Sequence, residues 1–201
     1  PGNAIAATLV VVVLAILIAQ PDFGMAVLVA VVFFVQLLVA GLAAIWIAIL
    51  AAIGLMSLLL GYLFLPHVAA RIDRFLDPSS GDSYQVDKAL EAFSNGGVLG
   101  RGPGEGVVKF VLPDAHSDFI FAVIGEEFGL FASLAIIALF SFIVLRGFLR
   151  LLHEQNLFIL LSASGLLTQF GMQVLVNMGV NLRLLPAKGM TLPFISYGGS
   201  S

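Results

Sequence analysis

Residues 42–65 read LAAIWIAILAAIGLMSLLLGYLFL, an apolar stretch without one charged side chain. A helix over it is about 36 Å long at 1.5 Å per residue, enough to cross about 30 Å of hydrocarbon. It has no polar face, so it does not read as a surface helix of a water-soluble domain. Two further apolar runs precede it, 4–19 and 23–40, and two follow, 119–145 and 157–180. The expected fold is an all-α polytopic membrane protein, a transmembrane helix bundle with one large polar loop.

Composition agrees. Of 201 residues, 60% are hydrophobic and 10% charged, where soluble domains carry about 25% charge, and the mean hydropathy is +1.10. From Pro1 to Pro66 the only charged side chain is Asp22. Gln20-Pro21-Asp22 separates the first two runs, because proline cannot continue a helix and a carboxylate is costly at depth. Gly41 is a thinner break that leaves two helices or one bent helix open. The chain has no cysteine, which excludes disulfides and thiolate metal sites. The net charge of -3 is small and says little about partners, and no nucleic-acid partner is expected. It opens on an apolar run without an initiator Met and stops after a Gly-Gly-Ser turn, so a piece of a longer protein is expected.

The segments divide as 1–65, three spans; 66–118, a polar loop; 119–180, two spans; and 181–201, a loop or re-entrant segment. A loop as long as 66–118 usually carries function. Within it, 77–82 reads as a turn, and Val86, Leu90 and Phe93 recur at helical spacing before Asn95-Gly96-Gly97, which predicts a short amphipathic helix. Parity puts this loop and the 181–201 tail on one side. That side holds Arg71, Arg74, Lys88, Arg101, Lys109, Arg183 and Lys188, against Arg146 and Arg150 in the opposite connector. The charge count alone places the loop inside, although the rule weakens for long loops.

Three places offer chemistry. Glycine-rich 96–106 brings backbone N–H groups together, but it follows no strand and opens no helix, so a dinucleotide site is not expected. Asp114, His116 and Asp118 crowd the start of the fourth span. A carboxylate there has two readings of equal weight, a cap on the free N–H groups of the helix or a catalytic group at the membrane edge. Glu126 and Glu127 lie two to three turns deeper and read as a structural pair, while Gln169, Gln173, Asn177 and Asn181 form one polar stripe on the fifth span.

RIDRFLDP (71–78), GRGPGEG (100–106), LPDAHSDFIFA (112–122), GEEFG (125–129) and PAKGMTLPFISYGGSS (186–201) occur in order, separated by spans. Together they resemble the FtsW/RodA/SpoVE family, and the glycine loop and the KGMTLPF form resemble its FtsW division branch most. The resemblance implies a bundle of ten transmembrane helices, of which this chain holds roughly the fifth to the ninth. It also implies an extracytoplasmic 66–118 loop, against the charge count, in a multi-pass protein of the bacterial plasma membrane at the division septum.

The implied activity is polymerisation of lipid II into glycan strands with release of undecaprenyl diphosphate, beside a class B penicillin-binding protein and other division proteins. By motif position the family's essential aspartate falls on Asp118, read as the catalytic base. Arg71, Arg74, Arg101, Lys109 and Lys188 are candidates to offset diphosphate charge, with a divalent cation, Mg or Mn, as a candidate cofactor. His116 is assigned to positioning, Gln173 and Asn177 to the substrate groove, and Glu126 and Glu127 to structural support. A lipid II flippase would use the same groove without a base, and a division scaffold would use Asp118 only as a cap.

Overall fold

The computed structural model describes residues 2–20, 22–77, 84–186 and 189–198, with the side chains of residues 2–4 and Arg74 outside the description. The expected turn at 77–82 and the candidate Lys188 therefore fall mostly or wholly outside the described residues. The described residues form helices and turns without a strand: α1 Gly2–Ala19, α2 Phe23–Val39, α3 Ala44–Phe64, α4 Pro66–Leu76, α5 Tyr84–Gly96, a 3-10 turn Val108–Phe110, α6 Ile120–Leu151 and α7 Leu157–Asn181. Of these, α3, α6 and α7 are long and apolar enough to cross a membrane, and α1 and α2 are shorter apolar helices. This is an all-α, polytopic membrane chain.

Two compact units are present, Pro1–Ala70 with Leu145–Gln169, and Arg71–Val144 with Phe170–Ser201. In the first, α1 packs on α2. Asp22 both breaks the chain and starts the next helix, since its Oδ1 accepts the Met25 N–H at 3.1 Å. The question at Gly41 resolves into two helices, with Gly41 at φ 78° in the turn between them. Gln36 donates its amide to the Leu161 carbonyl at 3.2 Å, which ties α2 to the start of α7. Trp46, Ile53, Leu55 and Phe64 of α3 are exposed, as in a helix that meets lipid.

In the second unit, the short helix expected in the polar loop is α5, which runs on through Asn95 to Gly96. Helix α4 was not expected, although Val68, Ile72 and Phe75 lie on one side of it, while Arg71 and Asp73 are exposed. The core has two adjoining clusters. Ala89, Ala92, Val108, Leu112, Phe119 and Ala122 join α5, the loop and the start of α6. Phe121, Phe140, Val174, Met178 and Leu192 join α6, α7 and the final turn.

Helix α6 is interrupted at Gly129, at φ 76° and ψ -169°, values that an L side chain adopts only under strain. The break frees backbone groups that hydrocarbon could not satisfy. The glycine-rich loop satisfies them: Arg101 N–H donates to the Glu126 carbonyl and Gly102 N–H to the Glu127 carbonyl, both at 3.0 Å, and Leu130 N–H donates to the Gly97 carbonyl at 3.0 Å. Loop 97–102 is thus a strap laid along the opened turn of the helix.

Candidate functional site

Asp118 sits in a tight turn at the mouth of α6. The Asp114 carbonyl, in a residue at φ 55°, accepts the N–H groups of Ser117, Asp118 and Phe119 at 3.0–3.2 Å. Phe119 is the residue immediately before the helix, and its carbonyl accepts from Ala122 and Val123. The side-chain cap comes from elsewhere: Asn181 at the end of α7 accepts the Ala122 N–H on its Oδ1 at 3.1 Å. Asp118 lies one residue outside the capping position, and among the described residues its carboxylate meets no hydrogen-bond donor. The capping alternative raised by the sequence is met by Asn181.

The main chain of Asp118 is held from α7. Asn177 and Asn181 both donate their side-chain amides to the Asp118 carbonyl, at 2.8 and 3.0 Å. Asn177 also donates to the Met190 carbonyl at 2.6 Å, and Asn181 to the Asn177 carbonyl at 2.8 Å. Both asparagines are buried, at 1% and 0% exposure, so these bonds form away from competing water.

The final segment closes over the same turn. Tyr197 N–H donates to the His116 carbonyl at 2.8 Å. Ser196 Oγ donates to the Ser117 carbonyl at 2.5 Å and accepts the Leu192 N–H at 2.7 Å. The backbone of Gly189 comes so near Asp118 that a Cβ there would lie 2.6 Å from Oδ2. A cavity of about 360 Å³ opens beside the turn, lined by His116, Ile120, Ile195 and Tyr197.

Electrostatics at Asp118 follow from this packing. Burial, and secondarily the neighbouring Asp114 charge, push its carboxyl above the ordinary carboxylate value. A carboxylate of raised pKa is a better proton acceptor than a free one.

The basic candidates fare differently. Lys109 is bound by Glu127 at 2.5 Å and by the Gly104 carbonyl at 2.7 Å. Arg101 lies 3.7 Å from Glu126, whose carboxylate is wholly buried and also accepts the Val108 N–H at 3.0 Å and, at 3.5 Å, the Asn95 amide. Glu127 also accepts the Gly104 N–H at 2.9 Å. The two glutamates therefore hold the strap and neutralise the two cations that the sequence offered to a diphosphate. Arg71 is exposed on α4, and no contact among the described residues brings it to Asp118. The stripe on α7 is buried only toward its C-terminal end: Gln169 is exposed, Gln173 half-buried, and Asn177 and Asn181 buried. Among the described residues no three His, Asp or Glu side chains converge as a metal site.

The family model described as a cell cycle protein, FtsW/RodA/SpoVE, matches residues 2–201. A probable peptidoglycan glycosyltransferase FtsW from Caulobacter vibrioides is 45% identical over 201 residues, which is 100% of this chain and 52% of that protein. Relatives of the same name from Geobacter sulfurreducens and Legionella pneumophila are 44% and 40% identical, each over 94% of this chain, and 52% and 50% of their own lengths. The chain thus spans about half the length of the curated relatives it matches. Among solved structures, a chain from work on the structural coordination of polymerization and crosslinking by a peptidoglycan synthase complex aligns with a TM-score of 0.72 at 30% identity, over 96% of this chain and 55% of that one. Motif order, helical architecture and these likenesses agree that the chain belongs to the FtsW/RodA/SpoVE family of cell cycle proteins.

Proposed function

We propose that this chain carries the catalytic base of a peptidoglycan glycosyltransferase that joins lipid II units into glycan strands during cell division. The observation that carries the reading is the state of Asp118: half-buried, relieved of capping, raised in pKa and placed in the turn between His116 and Ile120, two residues that line a cavity. In the reaction a sugar hydroxyl oxygen of one chain attacks the anomeric carbon of another. The bond from that carbon to the diphosphate breaks, and undecaprenyl diphosphate leaves with the electron pair. Asp118 takes the hydroxyl proton as the new bond forms. A diphosphate is already a good leaving group, so one carboxylate suffices and no general acid is needed.

In this reading the 66–118 loop faces the outside of the plasma membrane, where lipid-linked disaccharides are joined, and the protein works at the septum with a class B penicillin-binding protein and other division proteins. The names of the relatives and of the solved complex support it.

The pH dependence of the rate tests it. The base must be ionised, so kcat falls on the acid side as pH drops through the Asp118 pKa, and a raised pKa places that fall above the ordinary carboxylate value of about 3.9. Asp114→Asn removes the secondary cause and leaves burial, the larger one, in place. Asn tolerates the positive φ at 114, so the turn survives. The acid limb of the full-length variant should move to lower pH with the plateau rate kept. An acid limb that stays in place, or no acid limb in the wild type, contradicts the assignment.

A further inference from the structure

We propose that Asn177 and Asn181 are positioning residues that fix the main chain of Asp118 and free its carboxylate for chemistry. The inference rests on the reading of Asp118 as the base and deepens it. Three observations carry it. Both amides converge on one acceptor, the Asp118 carbonyl, at 2.8 and 3.0 Å. Asn181 serves as the helix cap through its other atom, Oδ1, on the Ala122 N–H, a place that a side chain from the turn itself would otherwise compete for. Asn177 carries the same restraint to the closing segment through the Met190 carbonyl, next to Gly189, whose backbone faces the Asp118 carboxylate.

The amide orientations are fixed by these partners. Each Nδ2 faces two carbonyl oxygens, and a flipped amide would set oxygen against oxygen. The two asparagines are one turn apart on α7, so a single rigid helix face presents both donors. A carbonyl held by two buried donors restricts both the peptide plane and the direction in which the Asp118 side chain leaves the backbone. Misplacing a catalytic group by about 1 Å can cost on the order of 100-fold in rate.

Asn181→Asp separates positioning from plain structural support. Asp caps a helix at least as well as Asn and keeps an acceptor for the Ala122 N–H. In its ionised form it cannot donate to the Asp118 carbonyl, and it sets a second oxygen against it. Full-length wild type, Asn181→Asp, Asn177→Ala and the double Asn177→Ala/Asn181→Asp variant are purified, matched for folded protein by thermal melting, and assayed for glycan formation from lipid II. Positioning predicts that kcat of Asn181→Asp falls roughly 10- to 100-fold while KM stays within about threefold. Asn177→Ala, which leaves the cap in place, loses kcat in the same way. The double variant loses more than the product of the two single losses, because each latch buffers the loss of the other.

Wild-type kcat in Asn181→Asp and Asn177→Ala, or losses fully accounted for by the unfolded fraction, overturns the proposal. If Asn181→Asp does not fold, Asn177→Ala alone decides between the same outcomes. Asp118→Asn is assayed alongside. An active Asp118→Asn variant overturns the base reading and this inference with it, whereas an inactive one beside unimpaired Asn181→Asp and Asn177→Ala variants overturns this inference alone.

Discussion

Asp118→Asn in the full-length protein should fold, insert and melt no lower than wild type while forming glycan from lipid II 10² to 10⁴ times more slowly, the usual cost of losing general-base assistance. The stability half follows from the capping arrangement. The α6 cap is supplied by Asn181, so removing the Asp118 charge removes no bond to the helix start. The carboxyl is held above its ordinary pKa by burial, which means that the folded state disfavours its ionised form. A neutral amide of the same shape relieves that disfavour. The rate half follows because an amide cannot accept the hydroxyl proton. A variant that melts well below wild type would show a structural duty at Asp118 that the hydrogen bonds do not contain.

Gly96→Val should release the glycine-rich strap from α6 and cost about 3 kcal/mol, the upper end of ordinary overpacking. Gly96 ends α5 where it crosses α6 at Gly125. A Cβ at 96 would lie 2.8 Å from the Glu126 Cα and 2.9 Å from its carbonyl oxygen. Those are backbone atoms, unable to swing aside as a side chain can. Relief requires α5 and the strap to lift, which exposes the buried Glu126 carboxylate and orphans the groups freed by the break at Gly129. The expected readout is a lower melting temperature and new protease cleavage within 97–107. Gly54→Ala is the matched control, because nothing lies within 4 Å of a Cβ there and alanine favours the helix by about 1 kcal/mol over glycine.

The three long apolar helices α3, α6 and α7 were legible because an apolar run of sufficient length has few other uses, and Asp22 was legible as a break because charge is costly at depth. Helix α4 is not announced by the sequence, although Val68, Ile72 and Phe75 carry helical spacing, because it is short and lies within a long polar loop. The four-residue recurrence of Gln169, Gln173, Asn177 and Asn181 was visible, but its purpose was not. The carbonyl that two of these side chains meet is about 60 residues away in sequence, with |i−j| of 59 and 63. For the same reason the two roles of Asp118 are equal on sequence alone, and the cap from Asn181 is what relieves it of the first. Lys109 and Arg101 looked available for a diphosphate because their partners Glu127 and Glu126 lie beyond the next turn of chain, and only the docked strap brings them together. Gly189 and Ser196 stood inside a recognised motif, yet their proximity to residues 117 and 118 is a property of folding alone.

The most direct test of the account is a count of bonds made and lipid carrier released by the purified full-length wild type given lipid II, with no other glycosyltransferase present. The account predicts glycan strands of increasing length, with one undecaprenyl diphosphate released for each disaccharide joined. Lipid II that moves between membrane leaflets, or stays bound, without a glycan product and without released carrier would contradict it.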